Sequence, residues 1–348
     1  MTTWASNDDY TISDDEVKHY TARVKGIGLV ITGCSRVTTN GIGFTHEYAS
    51  YNDSFLPSLK KLAAAAKSDG APAILQIYHA GNKAVADLIP GGDVVSASAI
   101  EVGPMPFVTS QVIPRQLTHS EIIDIIKAFG HATRRAIDVG FDGVELHGAH
   151  GFLLQNFFSP LYNQRTDDWG GSAENRMRFP LEVVKEVQDV IDEYADRPFL
   201  LGYRISPEEP QPESYKIKDI YPLIDELIKL EVDYLHASLS HVLDSKPIGV
   251  SEGRTIAELI LEYVNERVPV IAAGGVKKPQ DAGKAISRGL TMVAIGQALI
   301  INPKWIELAA NGGKVEETLS LSKLPELAIP EKLWTVIDAA KGWFQVTA

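Results

Sequence analysis

The residues of this chain whose types and spacing could do chemistry gather in and around one stretch, Phe141 to Phe179. Its opening run, Val144-Glu145-Leu146, breaks at His147, and His150 follows three residues on, so two imidazoles stand where a buried parallel strand would leave its sheet. Such a pair can ligate a metal, can serve as satisfied structural donors, or can aim two hydrogen bonds at a substrate oxygen. No acidic or cysteine partner stands at ligand spacing nearby, so no metal is expected. Other strand ends add to the inventory. Arg204 offers a fixed cation and Gln76 an amide with both donor and acceptor. Gly274-Gly275 and Gly296-Gln297 fall where main-chain N–H groups commonly hold a phosphate in an eight-fold α/β barrel. The plainer readings are a salt bridge from Arg204 to Glu208 or Glu209, and a structural turn at the glycines.

Positioning these groups takes a repeated strand-and-helix scaffold. Ser13 and Glu16, at capping-box spacing, announce a first helix. Buried strands are expected from near Ile27, Ala73, Phe141, Pro198, Val232, Val268 and Met292, with helices between them. One spans residues 54–70 and stops at Gly70, and others run from Thr118 to Asp138, about Ala173 to Tyr194, Ile220 to Leu230, Thr255 to Val264 and Pro279 to Ser287. That alternation means parallel βαβ units closing into an α/β fold of the TIM (β/α)8-barrel type. Seven strands are legible where the barrel has eight, and the expectation is that the first lies upstream of Met1. Residues 1–348 are read as a single domain, with a strand-containing insertion at about 82–117 over the mouth of the sheet, placed to act as a lid.

Composition narrows the partners. A formal charge of -12 and a pI near 5.3 disfavour nucleic acid and anionic membranes, which select clustered Lys and Arg. Cys34 is the single cysteine, which excludes an intrachain disulfide, a thiolate zinc cage and an iron–sulfur cluster; a mid-strand place makes it a small buried hydrophobe. With no basic-apolar leader and no membrane-length apolar run, a cytoplasmic protein with small-molecule partners is expected, and a homo-oligomer is left open.

From MTTW at the start through LQIYHAG, HGAH, SPLYNQRTDDWGGSAENRMRF and AGGV to IGQAL, nearly the whole chain resembles the Old Yellow Enzyme family of FMN-dependent oxidoreductases, most closely its bacterial NADH:flavin oxidoreductase branch. The resemblance implies an FMN-binding barrel that passes hydride from NADH or NADPH through the flavin to an electron-poor acceptor, an α,β-unsaturated carbonyl or a quinone. It gives Gln76 the flavin pyrimidine edge, Arg204 the N1/O2 side, Thr2 the O4 atom and Gly33 the back of the ring, with Met1 beneath it. Gly274, Gly275, Gly296 and Gln297 would hold the phosphate. His147 and His150 would hold the acceptor's oxygen, each worth about 3 kcal/mol as negative charge develops there, while Trp4, Tyr78 and Phe152 would line the pocket.

Two departures from the family pattern stand out. Phe152 occupies the place of the family's tyrosine acid and has no transferable proton, so water, Tyr78 or Tyr162 substitutes, or alkene reduction is not the main task. Gln297 stands where an arginine is common, and losing that charge-assisted bond forfeits roughly 1.5–3 kcal/mol of FMN affinity. These departures and the expected missing strand motivate an alternative, a flavin-poor or inactive barrel homologue with a binding role. They also imply that the chain as given binds FMN poorly and that one extended upstream binds it well. The RTDDWGG and ENRMRF segments are read as structural, with Ser172 capping a helix and Arg165, Arg176 and Arg178 pairing with Asp167, Asp168 and Glu174.

Overall fold

A computed structural model of the chain describes residues 1–103 and 112–348. Its core is a parallel sheet built from β1 (Val30–Arg36), β2 (Ala73–Tyr78), β5 (Gly143–Gly148), β6 (Leu200–Ile205), β7 (Tyr234–Ser238), β8 (Val270–Ala273) and β9 (Met292–Ala294), hydrogen-bonded in that order. Two-residue strands β3 (Val95–Ser96) and β4 (Arg115–Gln116) pair with each other in the insertion. All seven expected strands are present. Several begin two or three residues late because their leading residues still close the preceding helix: Phe141 N donates to Ala136 O and Val232 N to Leu227 O.

The strands are sealed on both faces, as parallel sheets require. Ile74, Leu75 and Ile77 of β2 are fully buried, and burying each such side chain is worth about 1.5–3 kcal/mol. Helices cover the outside, among them His119–Val139 and Ala173–Tyr194, which pack on one another. Thr118 and Glu121 form the expected reciprocal capping box. Ser13 also caps its helix, but Glu16 does not return the bond; its carboxyl turns inward to accept from Thr3 Oγ1, and burial pushes it up to about 7. A third capping box, Thr255 with Glu258, starts the helix Ile256–Val264.

The motif after β5 is tied to the insertion. Asn156 Oδ1 accepts from Asn82 N (3.1 Å) and Ser96 Oγ (3.2 Å), while its Nδ2 donates to Gly151 O (2.9 Å). Arg165 Nη1 donates to Ala97 O (3.0 Å) and Leu117 O (2.7 Å), and the same guanidinium pairs with Asp167 (2.6 Å). The other two arginines of this segment depart from the expected ion pairs: Arg176 donates to Phe158 O and Gly171 O, and Arg178 to Asn175 Oδ1, because those carbonyls lie nearer than any carboxylate. The reading of the insertion as a lid falls partly on residues 104–111, outside the described residues. Among the described residues no helix is long and apolar enough to cross a membrane.

Candidate active site

Strand register builds the floor of the site. Cys34 lies beside Gln76, and Gln76 beside Glu145, on three adjacent strands. Cys34 Sγ donates to Gln76 Oε1 (3.1 Å), Gln76 Nε2 donates to Glu145 Oε1 (2.6 Å), and His236 Nδ1 meets Glu145 Oε2 at 2.9 Å. Burial alone would raise the Glu145 carboxyl, but His236, the Arg204 charge and the Gln76 bond outweigh it and hold the group below its ordinary value. Burial keeps His236 neutral, so its Nδ1 carries the proton that Glu145 accepts. Cys34 is buried and its thiol is pushed up to about 11.

The mouth lies one step along the same strands. His147 is in register with Arg204, and Arg204 with His236. Arg204 pairs with neither Glu208 nor Glu209; Nη2 donates to Ser238 Oγ (3.1 Å) and Nε has no partner. Ser238 Oγ also meets His150 Nε2 at 2.6 Å. With Ser238 Oγ accepting from Arg204 and giving its own proton to Nε2, the His150 proton is assigned to Nδ1. His147 Nδ1 accepts from Ala149 N (3.3 Å), so its N–H is on Nε2. His147 is buried and His150 stands at the exposed edge of the site; desolvation, helped by Arg204 and their neighbours, lowers both imidazoles well below the usual range. Two neutral rings, centroids 5.0 Å apart, each keep one N–H to give.

Aromatic rings wall this mouth. Phe152 stands edge-on to His147 at 4.8 Å and to Tyr78 at 4.9 Å, and Phe44 links Tyr78 to Trp4. The Tyr78 hydroxyl points away, donating to Glu47 and accepting from Gly43 N at 2.9 Å. Trp4 adopts φ 47 and also meets Trp343 edge-on at 5.7 Å.

At the far strand ends, Gly274 (φ 148) and Gly275 (φ 63) hold conformations that other residues rarely adopt, and a side chain would strike Leu239 O at the first and His241 Nδ1 at the second. Gly296 is open, with nothing nearer its missing side chain than Met1 Sδ at 3.9 Å. Met1 therefore spans from the end of β9 to β1, where a side chain on Gly33 would lie 3.1 Å from Met1 O and 3.2 Å from Thr2 Cα. Gln297 Nε2 donates to Trp343 O (2.8 Å). The expected residues thus form one connected rim, with Tyr162 apart from it, its hydroxyl accepting from Gln211.

The rim suits a flat, acceptor-rich ring. Arg204 spends only one of its donors on protein, and its Nε has no partner. Residues 1–316 match the description of the NADH:flavin oxidoreductase / NADH oxidase family. The chain belongs to that family. It is an FMN-dependent oxidoreductase, 42% identical over 345 residues to a probable NADH-dependent flavin oxidoreductase of Bacillus subtilis, covering 99% of this chain and 91% of that one. It is 38% identical to the NADH:fumarate oxidoreductase of Klebsiella pneumoniae over 96% of this chain, but spans only 36% of that longer protein. Among solved structures, an Old Yellow Enzyme homologue from Zymomonas mobilis superposes with a TM-score of 0.79 at 21% identity, covering 91% and 88% of the two chains. Morphinone reductase superposes at 0.76 and 25% identity, covering 91% and 85%. The (β/α)8 architecture is that of these neighbours.

Three residues of the site escaped sequence reasoning: Glu145, His236 and Ser238. For two there was a signal. Glu145 and His236 are lone ionisable groups inside otherwise apolar strands, a pattern that demands a buried partner.

Proposed function

We propose that Gln76, Arg204, Thr2 and Gly33 receive the flavin ring, that Gly274, Gly275, Gly296 and Gln297 receive its phosphate beside Met1, and that His147 and His150 hold the oxygen of an α,β-unsaturated carbonyl or quinone. When bound, FMN supplies the two-electron chemistry that joins oxidation of NADH or NADPH to reduction of the acceptor. The observation that carries this reading is the neutral histidine pair, whose two unspent N–H groups open into an aromatic box beside a guanidinium with donors to spare. Donors already in place where negative charge develops on an acceptor oxygen lower the barrier without reorganisation. Trp4, Tyr78 and Phe152 exclude water and set the plane in which the acceptor lies. Relatives named for fumarate and acrylate support conjugated alkenes as acceptors. The acidic surface suits a cytoplasmic enzyme of small molecules.

Titrating the FMN-loaded protein with p-hydroxybenzaldehyde tests the reading. A phenolate held by the histidines over the flavin gives a long-wavelength charge-transfer band, and His147→Ala removes it. An unchanged band in that variant refutes the role given to the pair.

A further inference from the structure

Reduction of a conjugated alkene needs a proton at the α-carbon, and the residues first considered for it are unsuitable. Phe152 has none to give. The Tyr78 hydroxyl faces Glu47 and Gly43, away from the histidines, and burial raises it well above its ordinary value. Tyr162 is bonded to Gln211 and makes no contact with the box.

One proton-bearing group does reach the mouth. Lys83, in the turn Gly81–Lys83 after β2, extends across the loop after β5 and donates from Nζ to His150 O. Its ammonium lies 5.9 Å from the centre of the Phe152 ring. Access depends on Gly151: a side chain there would begin 2.6 Å from Nζ, and the glycine's φ of 70 is itself unfavourable for other residues. Among the described residues Lys83 has no ion-pair partner, so two of its three N–H bonds are uncommitted. The groups that act on it are Glu209, on the loop after β6, and the His150 imidazole beside it.

We propose that Lys83 is the proton donor to the α-carbon, in place of the acid that Phe152 cannot be. The proposal rests on the enone reading above. Hydride from the nicotinamide donor, relayed to the β-carbon, shifts the alkene pair toward the carbonyl, and His147 and His150 hold the resulting enolate oxygen. The α-carbon then forms a C–H bond with a proton from Nζ. One N–H bond breaks, the neutral amine remains, and solvent returns the proton. Burial pushes this amine down to about 8, so near neutral pH it is charged yet gives up its proton far more readily than a free lysine.

The test compares anaerobic reduction of 2-cyclohexenone and of a quinone by wild type, Lys83→Met, Lys83→Arg and Lys83→Met/Phe152→Tyr, all loaded with FMN. The enone-to-quinone rate ratio is expected to fall about 10²-fold in Lys83→Met. It should stay low in Lys83→Arg, whose guanidinium keeps the charge but does not release a proton, and recover in the double variant, where tyrosine supplies the acid. The wild-type enone rate should decline above about pH 8. Trace acylation of Lys83, read by mass spectrometry across pH without turnover, should show a midpoint near 8. An unchanged ratio in Lys83→Met overturns the proposal alone. Full activity in Lys83→Arg overturns it in favour of charge recognition of the substrate. A wild type that reduces quinones but no enone overturns both this proposal and the acceptor class on which it rests.

Discussion

Glu145 on the floor of the site and Glu47 in its wall are both sealed from solvent, yet they settle in opposite states. Glu145 takes short bonds from Gln76 (2.6 Å) and His236 (2.9 Å) beside Arg204, and is held below its ordinary value. Burial pushes Glu47 up to about 7, although it accepts from Tyr78, Gly43 N and Phe44 N. Its cation, Arg36, stands 3.5 Å away and lies against the rings of Tyr10 and Tyr51. Equal burial therefore does not decide charge: at Glu145 the combined pull of His236, Arg204 and Gln76 outweighs it, while at Glu47 burial outweighs Arg36, Tyr78 and two main-chain N–H groups. A fixed negative charge lies beside Gln76 and Arg204, while the wall behind Tyr78 titrates near neutrality.

Breaking the floor should have the largest effect. Glu145→Leu leaves His236 and Gln76 without their acceptor and Arg204 without its countercharge, and should lower unfolding free energy by about 3–5 kcal/mol in denaturant titrations. Glu145→Gln, which keeps an acceptor, should lose less. If the two variants melt alike, the charge itself matters and the hydrogen bonds do not.

Glu47 sharpens the comparison through pH. Its folded value of about 7 lies above the ordinary 4.5. The protonated native form is thus favoured relative to the unfolded chain below about pH 4.5, and that stability is lost as pH rises to about 7. The difference corresponds to about 3 kcal/mol. Glu47→Gln should flatten this part of the stability profile. Glu145 runs the other way, with stability lost only as pH falls below the ordinary carboxylate range. Glu16, also raised to about 7, adds a second slope of the Glu47 kind that persists in the variant. A wild-type profile without any decline between pH 4.5 and 7 would contradict the Glu47 assignment.

The smallest expected effect concerns the link between floor and mouth. Ser238→Ala removes the hydroxyl between Arg204 and His150, a loss of about 0.5–1.5 kcal/mol. It should weaken phenol binding by several-fold, read in the same spectral titration, because the His150 tautomer is no longer fixed. Unaltered affinity would mean that the ring's orientation is set by its backbone alone.

Much of this was legible beforehand. The seven strands and most helix limits follow from apolar periodicity and caps, which are local signals. The histidine pair, Arg204 and Gln76 stood out as polar residues ending apolar runs. What was hidden depends on register between distant segments. That Cys34, Gln76 and Glu145 form one line requires knowing which residues of β1, β2 and β5 lie side by side. Lys83 was invisible for another reason: its reach depends on the absent side chain of Gly151, 68 residues later, and on the turn that brings the two together. Glu16 misled because its spacing fits a cap while its burial beside Thr3 is a tertiary fact.

The clamp made by Asn156 and Arg165 bears on how this fold tolerates changes in length. One carboxamide grips residues 82, 96 and 151 together, and one guanidinium grips 97 and 117. Any residue added or removed within 82–96 shifts one grip relative to the other and drags the loop that carries His150. Natural insertions and deletions among relatives should therefore be rare within 82–96, where a change of length would disturb the histidines.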